Sequence, residues 1–247
     1  MSVATNPIVI RGLQKSFGAQ MVLNRIDLTI DRGKTLAVLG QSGTGKSVLL
    51  KIIIGLILPD SGSIEIEGQD IATVPRDRLN EIRKKIGFLF QNAALYDSLT
   101  VAENVDFPLA RNTQLSREQR AQRVRELLSK VGMEGAADKL PSEISGGMQK
   151  RVGLARALAL NPEIVLFDEP TAGLDPITAD EIDGLIAGLQ KERSMTSVVV
   201  THDIHGVRFY SDRVVMLREG TIVMDGTFAN FEKSKDEFLA RFLKTAA

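Results

Sequence analysis

The sequence predicts an α/β fold with an antiparallel β segment near its N-terminus and a helical insertion in the middle. Largely apolar runs of four or five residues, typical of buried parallel strands, recur at 35–39, 86–90, 164–167 and 197–200. Helical patterns separate most of these runs, as in sheets whose parallel strands are joined by crossovers. Between Gln91 and Leu160 the strand pattern disappears, which predicts that helices are inserted there.

Each element is predicted from its own local pattern. Strands are expected where apolar and polar residues alternate or apolar residues run together, at 8–13, 23–30, 35–39, 63–67, 86–90, 164–167, 197–200 and 214–217. Helices are expected where the period is helical, at 47–58, 78–85, 117–131, 145–160 and 177–191. Pro59 ends the first helix, and a capping box of Ser116 with Gln119 begins the third.

Composition indicates an ordinary folded protein and excludes several chemistries. The 247 residues are 43% hydrophobic and 25% charged, and 31 basic residues balance 31 acidic ones. Because the net charge is near zero, no nucleic-acid partner is expected. The absence of cysteine excludes disulfides, thiolate metal sites and cysteine nucleophiles.

Neither the N-terminal residues nor the apolar runs predict a targeting or membrane-spanning segment. Residues 1–7 lack the charged start and apolar core of a secretory signal. The longest apolar run, 52–58, is far shorter than the roughly 20 residues that a spanning helix needs. Any membrane role is therefore expected to come through a partner.

Residues 40–47 match the phosphate-binding pattern G-x-x-x-x-G-K-[ST]. The motif follows a buried strand and opens a helix, so backbone N–H groups and the helix dipole converge on one anion. Lys46 is expected between the β- and γ-phosphates, and the Ser47 hydroxyl on Mg²⁺. The predicted nucleotide contacts are Gly40, Ser42, Gly43, Thr44, Gly45, Lys46, Ser47 and Val48. The alternative is a glycine-rich turn without a ligand.

Two carboxylates, Asp168 and Glu169, end the apolar strand at 164–167. Ligands bind at the carboxyl ends of strands in open parallel sheets, so Asp168 is expected to bind Mg²⁺ through water. Successive strand residues alternate, so Glu169 points elsewhere and is the expected acceptor of a proton from an attacking water. The alternative is a solvated acidic pair that caps the next turn.

His202 follows the strand at 197–200 and is expected at the same edge of the sheet. A histidine there can donate to a γ-phosphate or hold the water, and we assign it a catalytic role with Glu169 and Lys46. His205 is expected to be structural.

Taken together, these motifs resemble the ATP-binding subunits of ABC transporters over nearly the whole chain. The resemblance implies a P-loop NTPase fold with a RecA-like mixed sheet, binding ATP and Mg²⁺. It implies one domain, 1–247: a core with the β subdomain at about 1–91 and 160–225, a helical subdomain at about 92–159 and a tail at about 226–247. Gln91 resembles the Q-loop glutamine that binds Mg²⁺ and senses the γ-phosphate. Residues 172–175 resemble the D-loop, which makes Asp175 a nucleotide-site residue.

Ser145, Gly146 and Gly147 resemble the family's signature motif. Ser145 can cap its helix, and the glycines expose N–H groups that favour an anion. In the family this element faces the γ-phosphate held by another subunit, so the resemblance implies a head-to-tail dimer around two ATP molecules. In isolation, such a turn is also an ordinary helix start.

Two positions depart from the family pattern. Phe17 stands where the family often has a tyrosine that stacks on adenine; stacking and burial of this ring are both open. Met148 stands where the usual signature has glutamine. Met148 and the segments 90–101, 104–109 and 175–178 are most similar to the ATPase of MCE-type phospholipid transporters, above all the Mla system that maintains outer-membrane lipid asymmetry.

That similarity implies a set of partners. They are a second copy of this chain, an integral MlaE-like permease, an MlaD-like MCE protein and an MlaB-like STAS-domain protein, with phospholipid handled by the complex. The chain would lie on the cytoplasmic side of the inner membrane, held there by the permease.

Two apolar segments lie outside these motifs. Leu95, Tyr96, Leu99, Val101, Val105, Phe107 and Leu109 form either a groove for a permease helix or the insertion's own core; the pattern leaves both open. In the tail, Phe231, Phe238, Leu239, Phe242 and Leu243 share one helical face, which is expected to pack on its own domain.

Alternative functions share the catalytic motifs. An ABC importer for polar solutes such as amino acids has the same ones, and so does a soluble ABC-type ATPase acting on ribosomes, DNA or an assembly scaffold. A GTPase is disfavoured because no Asn-Lys-x-Asp motif is present.

Overall fold

A computed structural model describes residues 6–193 and 195–245. Within them the chain forms two β-sheets and nine α-helices. The strands are β1 Ile8–Phe17, β2 Gln20–Ile30, β3 Thr35–Leu39, β4 Ser61–Ile66, β5 Gln69–Asp70, β6 Ile86–Leu89, β7 Ile164–Asp168, β8 Thr196–Thr201, β9 Arg213–Arg218 and β10 Thr221–Gly226. The helices are α1 Lys46–Ile53, α2 Arg76–Lys84, α3 Val101–Asn112, α4 Arg117–Lys130, α5 Gly146–Ala157, α6 Pro176–Arg193, α7 Ile204–Tyr210, α8 Phe228–Glu232 and α9 Glu237–Thr245.

The smaller sheet is antiparallel, in the order β2-β1-β4-β5. The predicted strands β1 and β2 are longer than the alternation indicated, because only Gly18 and Ala19 separate the paired residues Phe17 and Gln20. Gly18 has a φ of +59°, which a tight turn between twisted strands requires.

The larger sheet has the order β10-β9-β3-β8-β7-β6. Its strands β9, β3, β8, β7 and β6 are parallel, and β10 adds an antiparallel edge. This order sets β8 between β3 and β7, so the loop after β3 and the carboxylates that end β7 meet across a single strand. The mixed sheet and the antiparallel subdomain confirm the predicted fold class.

Two helical predictions need correction, and two helices, α3 and α7, were missed. Helix α1 ends at Ile53, not at residue 58, because Gly55 turns the chain with a φ of +69° and Arg83 bonds the carbonyls of Ile54 and Gly55. Helix α3 was not predicted, although Thr100 and Glu103 form a capping box at its start; Pro108 inside it obscured the pattern. The tail forms two helices, α8 and α9, rather than one.

Apolar side chains form two cores, one on each face of the larger sheet. Alternation along β3 sends Leu36 and Val38 toward the antiparallel sheet, and Ala37 and Leu39 toward the inserted helices. The sheet is therefore covered on both sides, which explains why its strands read as continuous apolar runs.

The apolar segment after Gln91 divides between the insertion's own core and the lining of a surface cavity. Val101, Val105 and Leu109 are fully buried with α4 and α5 and form the insertion's own core. Tyr96 and Phe107, whose ring centroids are 4.6 Å apart, instead line a surface cavity of about 420 Å³ between α3, α5 and β6.

The tail packs on its own domain, as predicted. Phe231, Leu239 and Phe242 are buried in the core that also contains the inserted helices. The Arg218 guanidinium lies 4.4 Å from the Phe238 ring centroid, and this cation–π contact links α9 to β9. Among the described residues, no helix is both long enough and apolar enough to cross a bilayer.

Candidate functional site

The loop after β3 folds back on itself through two glycines with positive φ. Gly43 has a φ of +81° and Gly45 a φ of +101°, values that other residues adopt only with strain. A Cβ on Gly45 would also lie 2.9 Å from the carbonyl oxygen of Val22. Strand β2 therefore presses directly on the loop, and only glycine fits between them.

Lys46 occupies the centre of this loop and is 5% exposed. Its ammonium donates to the carbonyl oxygens of Gly40, at 2.8 Å, and Gln41, at 3.1 Å. It also lies 3.2 Å from Oε1 of Glu169. A buried cation held this way is fixed in place to receive a phosphate oxygen.

The Ser47 hydroxyl donates to Oδ1 of Asp168 across a distance of 2.6 Å. Burial raises the pKa of Asp168, and the bond from Ser47 partly opposes that shift. The pair fits Mg²⁺, which takes hard oxygen ligands and is commonly held by one or two protein oxygens together with water and substrate phosphates. Among the described residues, no group of three or more histidine, aspartate or glutamate side chains is arranged to hold a metal ion.

Glu169 and His202 contact each other at the edge of the sheet. His202 Nδ1 lies 2.8 Å from Oε2 of Glu169, and the His202 backbone N–H donates to the same oxygen at 3.3 Å. Glu169 is 7% exposed and has a φ of +47°, a strained conformation for a residue with a side chain. Strand β7 ends at Asp168, so this turn, and not the strand alternation used in the prediction, directs the side chain of Glu169.

These groups line one cavity of about 830 Å³, within the range of small-molecule sites. The predicted site residues among its lining are Ser42, Gly43, Gly45, Lys46, Ser47, Val48, Gln91, Glu169 and His202. Gly40 and Thr44 belong to the same loop, where the Thr44 hydroxyl donates to the Gln41 carbonyl. Asp168 reaches the site through Ser47.

Besides Gly40, Thr44 and Asp168, five predicted site residues fall outside the described lining of this cavity: Phe17, Ser145, Gly146, Gly147 and Asp175. Phe17 is 48% exposed, so its burial, one of the two options from sequence, is wrong. Ser145 caps α5 by accepting the Met148 N–H at 3.3 Å, as expected. Asp175 accepts the Thr178 N–H at 3.1 Å. Met148 is half-buried against the core of the inserted helices.

Sequence reasoning missed Lys150, which links α5 to the backbone of Glu169. Its side chain is 5% exposed and donates to the backbone carbonyl of Glu169 at 3.0 Å. Burial lowers the pKa of Lys150 to about 8, against the attraction of Asp168 and Glu169. A lysine on a polar helix gives no sequence signal for such a contact. The cavity is also lined by Gln20, Val22, Gln41 and Phe242. Their place in the lining was missed because no local sequence pattern marks it.

The fold and this site define a P-loop nucleotide-binding protein. The glycine loop after β3 encloses Lys46. Strand β7, two positions from β3 in the sheet, ends at Asp168, whose carboxylate accepts a hydrogen bond from Ser47. The family profile described as ABC transporter matches residues 23–172, well over half of the chain. This chain belongs to the ABC transporter family, as an ATP-hydrolysing subunit.

Curated relatives from three transport systems match almost the whole chain. Methionine import ATP-binding protein MetN 2 of Enterococcus faecalis is 41% identical over 97% of this chain and 71% of its own length. The phospholipid transport ATP-binding protein MlaF of Haemophilus influenzae is 38% identical over 97% and 90%. The probable ribonucleotide transport protein mkl of Mycobacterium tuberculosis is 42% identical over 96%, and the chain spans 66% of mkl.

Solved structures agree with the fold. The ATP-binding cassette MJ0796, in a dimeric post-hydrolysis state bound to ADP and Pi, has a TM-score of 0.83 and 37% identity. The match covers 89% of this chain and 98% of that one. CbiO1 from Clostridium perfringens has a TM-score of 0.82 and 30% identity, over 98% and 99% of the two chains.

Proposed function

We propose that this chain hydrolyses ATP to drive phospholipid movement between the inner and outer membranes. One observation carries the proposal: MlaF proteins, named for intermembrane phospholipid transport, are 38–39% identical over 96–97% of the chain. Met148 gives independent support. It stands in the signature segment where the usual family sequence has glutamine, and in this the segment resembles that of the MCE-type ATPases.

At the site, the loop N–H groups and Lys46 bind the β- and γ-phosphates. Glu169 accepts a proton from the attacking water, and His202 holds the second carboxylate oxygen so that Oε1 stays directed toward the loop. Ser47, Gln91 and Asp168 would hold Mg²⁺, which would supply positive charge to stabilise the phosphates. Catalysis by this chain is then mainly positioning and electrostatic stabilisation.

The active unit is a head-to-tail dimer of two copies. Ser145, Gly146 and Gly147 lie outside the described lining of their own chain's cavity, so their free N–H groups are available for a nucleotide on a second copy. A two-fold axis satisfies both sites at once. The solved relative MJ0796 is itself described as dimeric. Asp175, beside the signature glycines in the fold through Leu174 and Thr178, joins this interface.

The permease docks at the cavity lined by Tyr96 and Phe107. The lining of this groove is mostly apolar and follows β6 as far as Phe90, the residue before Gln91, so a helix seated there is close to the predicted γ-phosphate sensor. An MlaE-like permease, an MlaD-like MCE protein and an MlaB-like STAS protein complete the assembly, which holds this chain at the cytoplasmic side of the inner membrane.

The test is to purify the tagged chain with its membrane partners and identify them. We expect a permease, an MCE protein and bound phospholipid, with ATPase activity that rises when phospholipid is supplied to the reconstituted complex. Tyr96→Ala should reduce permease recovery, and Tyr210→Phe, a buried tyrosine away from the groove, serves as the control.

Import of an amino acid such as methionine is the second candidate, favoured by 41% identity to MetN 2 over 97% of the chain. It shares each catalytic step above. A co-purified solute-binding protein and stimulation by methionine instead of phospholipid would replace the first proposal with this one.

A further inference from the structure

Helix α5 connects the signature segment to the residue proposed as the catalytic base. At its N-terminus, Ser145 accepts the Met148 N–H at 3.3 Å and caps the helix. Less than two turns further along, the Lys150 ammonium donates to the backbone carbonyl of Glu169 at 3.0 Å. In the proposed head-to-tail dimer, the start of α5 faces the partner's nucleotide, whereas Glu169 serves the nucleotide of its own chain. One helix therefore contacts the machinery of both sites.

The start of α5 is tightly packed. A Cβ on Gly147 would lie 2.4 Å from Cγ2 of Thr178, and a Cβ on either signature glycine would lie 4.0 Å from Cδ2 of Leu174. The Thr178 hydroxyl in turn donates to Asp175 at 2.6 Å. Because close-packed interiors transmit displacement instead of absorbing it, a force on the signature glycines is carried into α5.

The other end of this connection is buried and meets the backbone of Glu169 at its left-handed turn. Lys150 is 5% exposed. The Glu169 carbonyl that it bonds also accepts the Ala172 N–H at 3.2 Å, and the Glu169 N–H donates to the Val200 carbonyl at 2.9 Å. A residue with a φ of +47° keeps that conformation only where surrounding contacts impose it. A shift of Lys150 therefore changes the direction in which the carboxylate points.

We propose that Lys150 is a positioning residue that couples the two nucleotide sites of the dimer. A nucleotide held by the partner chain fixes the signature segment and with it α5, and Lys150 then fixes the backbone of Glu169 so that its carboxylate is directed at this chain's own nucleotide. Hydrolysis at one site consequently depends on occupancy of the other. This coupling rests on the proposed head-to-tail dimer and is independent of the transported substrate.

The test uses pairs of chains in which only one member can hydrolyse ATP. Chains with different tags are co-purified with their membrane partners in two affinity steps, which keeps each pair together. The inactive chain carries either Glu169→Gln, expected to bind ATP without turnover, or Lys46→Ala, expected to leave its site empty. The active chain is either wild type or Lys150→Met. For each active chain, the ratio of its ATPase rates with the two inactive partners measures the effect of the neighbouring nucleotide.

With a wild-type active chain, an occupied neighbouring site should raise the rate about fivefold or more, the lower end of ordinary coupling between sites. With Lys150→Met the ratio should fall to within about twofold of unity. Arg151→Met is the matched control, because the next residue of α5 donates to the Val131 carbonyl at 3.1 Å and to Glu181 at 2.5 Å instead of to Glu169. It should keep the wild-type ratio.

Two results would overturn the coupling. One is the same ratio for the wild-type and Lys150→Met active chains, even where Lys150→Met lowers both rates, because a purely local contact gives that result. The other is a wild-type active chain that hydrolyses ATP equally fast with either inactive partner. Failure to recover any pair of differently tagged chains would instead overturn the two-copy site on which the coupling rests.

Discussion

Glu169 is held through both carboxylate oxygens, by His202 Nδ1 at 2.8 Å from Oε2 and by Lys46 Nζ at 3.2 Å from Oε1. The histidine follows β8, and the lysine opens the helix that follows the neighbouring strand β3. On the proposed binding of nucleotide phosphates to the same ammonium, the carboxylate and the phosphates would compete for Lys46. Charge at Glu169 would then affect binding as well as hydrolysis.

Glu169→Gln should abolish turnover while ATP binding is kept or tightened. Loss of the base is expected to lower kcat by about 100-fold or more, and loss of the negative charge removes the competitor for Lys46. Steady-state ATPase assays and nucleotide titrations measure the two effects. In ATP and Mg²⁺ the variant should accumulate as a dimer, visible by light scattering.

Glu163→Gln is the control for this variant, since Glu163 precedes β7 and pairs with Lys85 at the surface. It should leave kcat unchanged. A Glu169→Gln protein that hydrolyses ATP at the normal rate as a monomer would contradict both the base assignment and the two-copy site.

Ser47→Ala should raise the Mg²⁺ concentration needed for half-maximal ATPase activity. The change removes the hydroxyl that lies 2.6 Å from Asp168, and with it one oxygen ligand of the ion. We expect a shift of about tenfold, by analogy with the loss of supporting groups at other metal sites. Ser61→Ala, at an exposed serine of β4, should show the normal Mg²⁺ dependence; an unshifted curve for Ser47→Ala would remove Ser47 from the metal site.

Lys150→Met should lower kcat about tenfold with a smaller effect on KM, because the lost bond to the Glu169 carbonyl positions the base rather than the nucleotide. The methionine keeps the length and apolar stem of the side chain. Lys191→Met, at an exposed lysine of α6, is the control. An increase in KM alone would mean that Lys150 acts on nucleotide binding.

Asp183→Asn should stabilise the protein above pH 7. Asp183 is 2% exposed, both of its carboxylate oxygens lack a hydrogen-bond partner among the described residues, and burial with Asp203 and Asp180 nearby raises its pKa to about 7. Since the unfolded pKa is about 3.9, the folded state binds the extra proton between those values, and stability falls as pH rises through that window.

Asparagine has nearly the same shape as a neutral aspartic acid, but its side chain does not titrate. We expect a gain on the order of 2 kcal/mol at pH 8 and little change at pH 4, measured by denaturant unfolding. If the free energies of unfolding of the two proteins change in parallel from pH 4 to pH 8, Asp183 is ionised in the folded state.

Much of the fold was predictable because its signals are local. The run at 35–39 became β3 with the predicted bounds, and Ser116 caps α4 through the expected capping box. Helix α3 was missed because Pro108 breaks its pattern, and β10 because Thr221–Gly226 is a half-exposed edge strand. The tail divides at residues 233–236, where no apolar residue sustains the helical period.

For the site, the sequence by itself determined the loop around Lys46, the carboxylates that end β7 and the histidine that ends β8. Each is a short motif whose geometry follows from the strand and turn that carry it. Only the tertiary structure decided what surrounds them: Lys150 against the Glu169 carbonyl, and Val22 and Phe242 in the lining of the cavity. These contacts join residues far apart in the chain, and packing, which carries no local signal, fixes them.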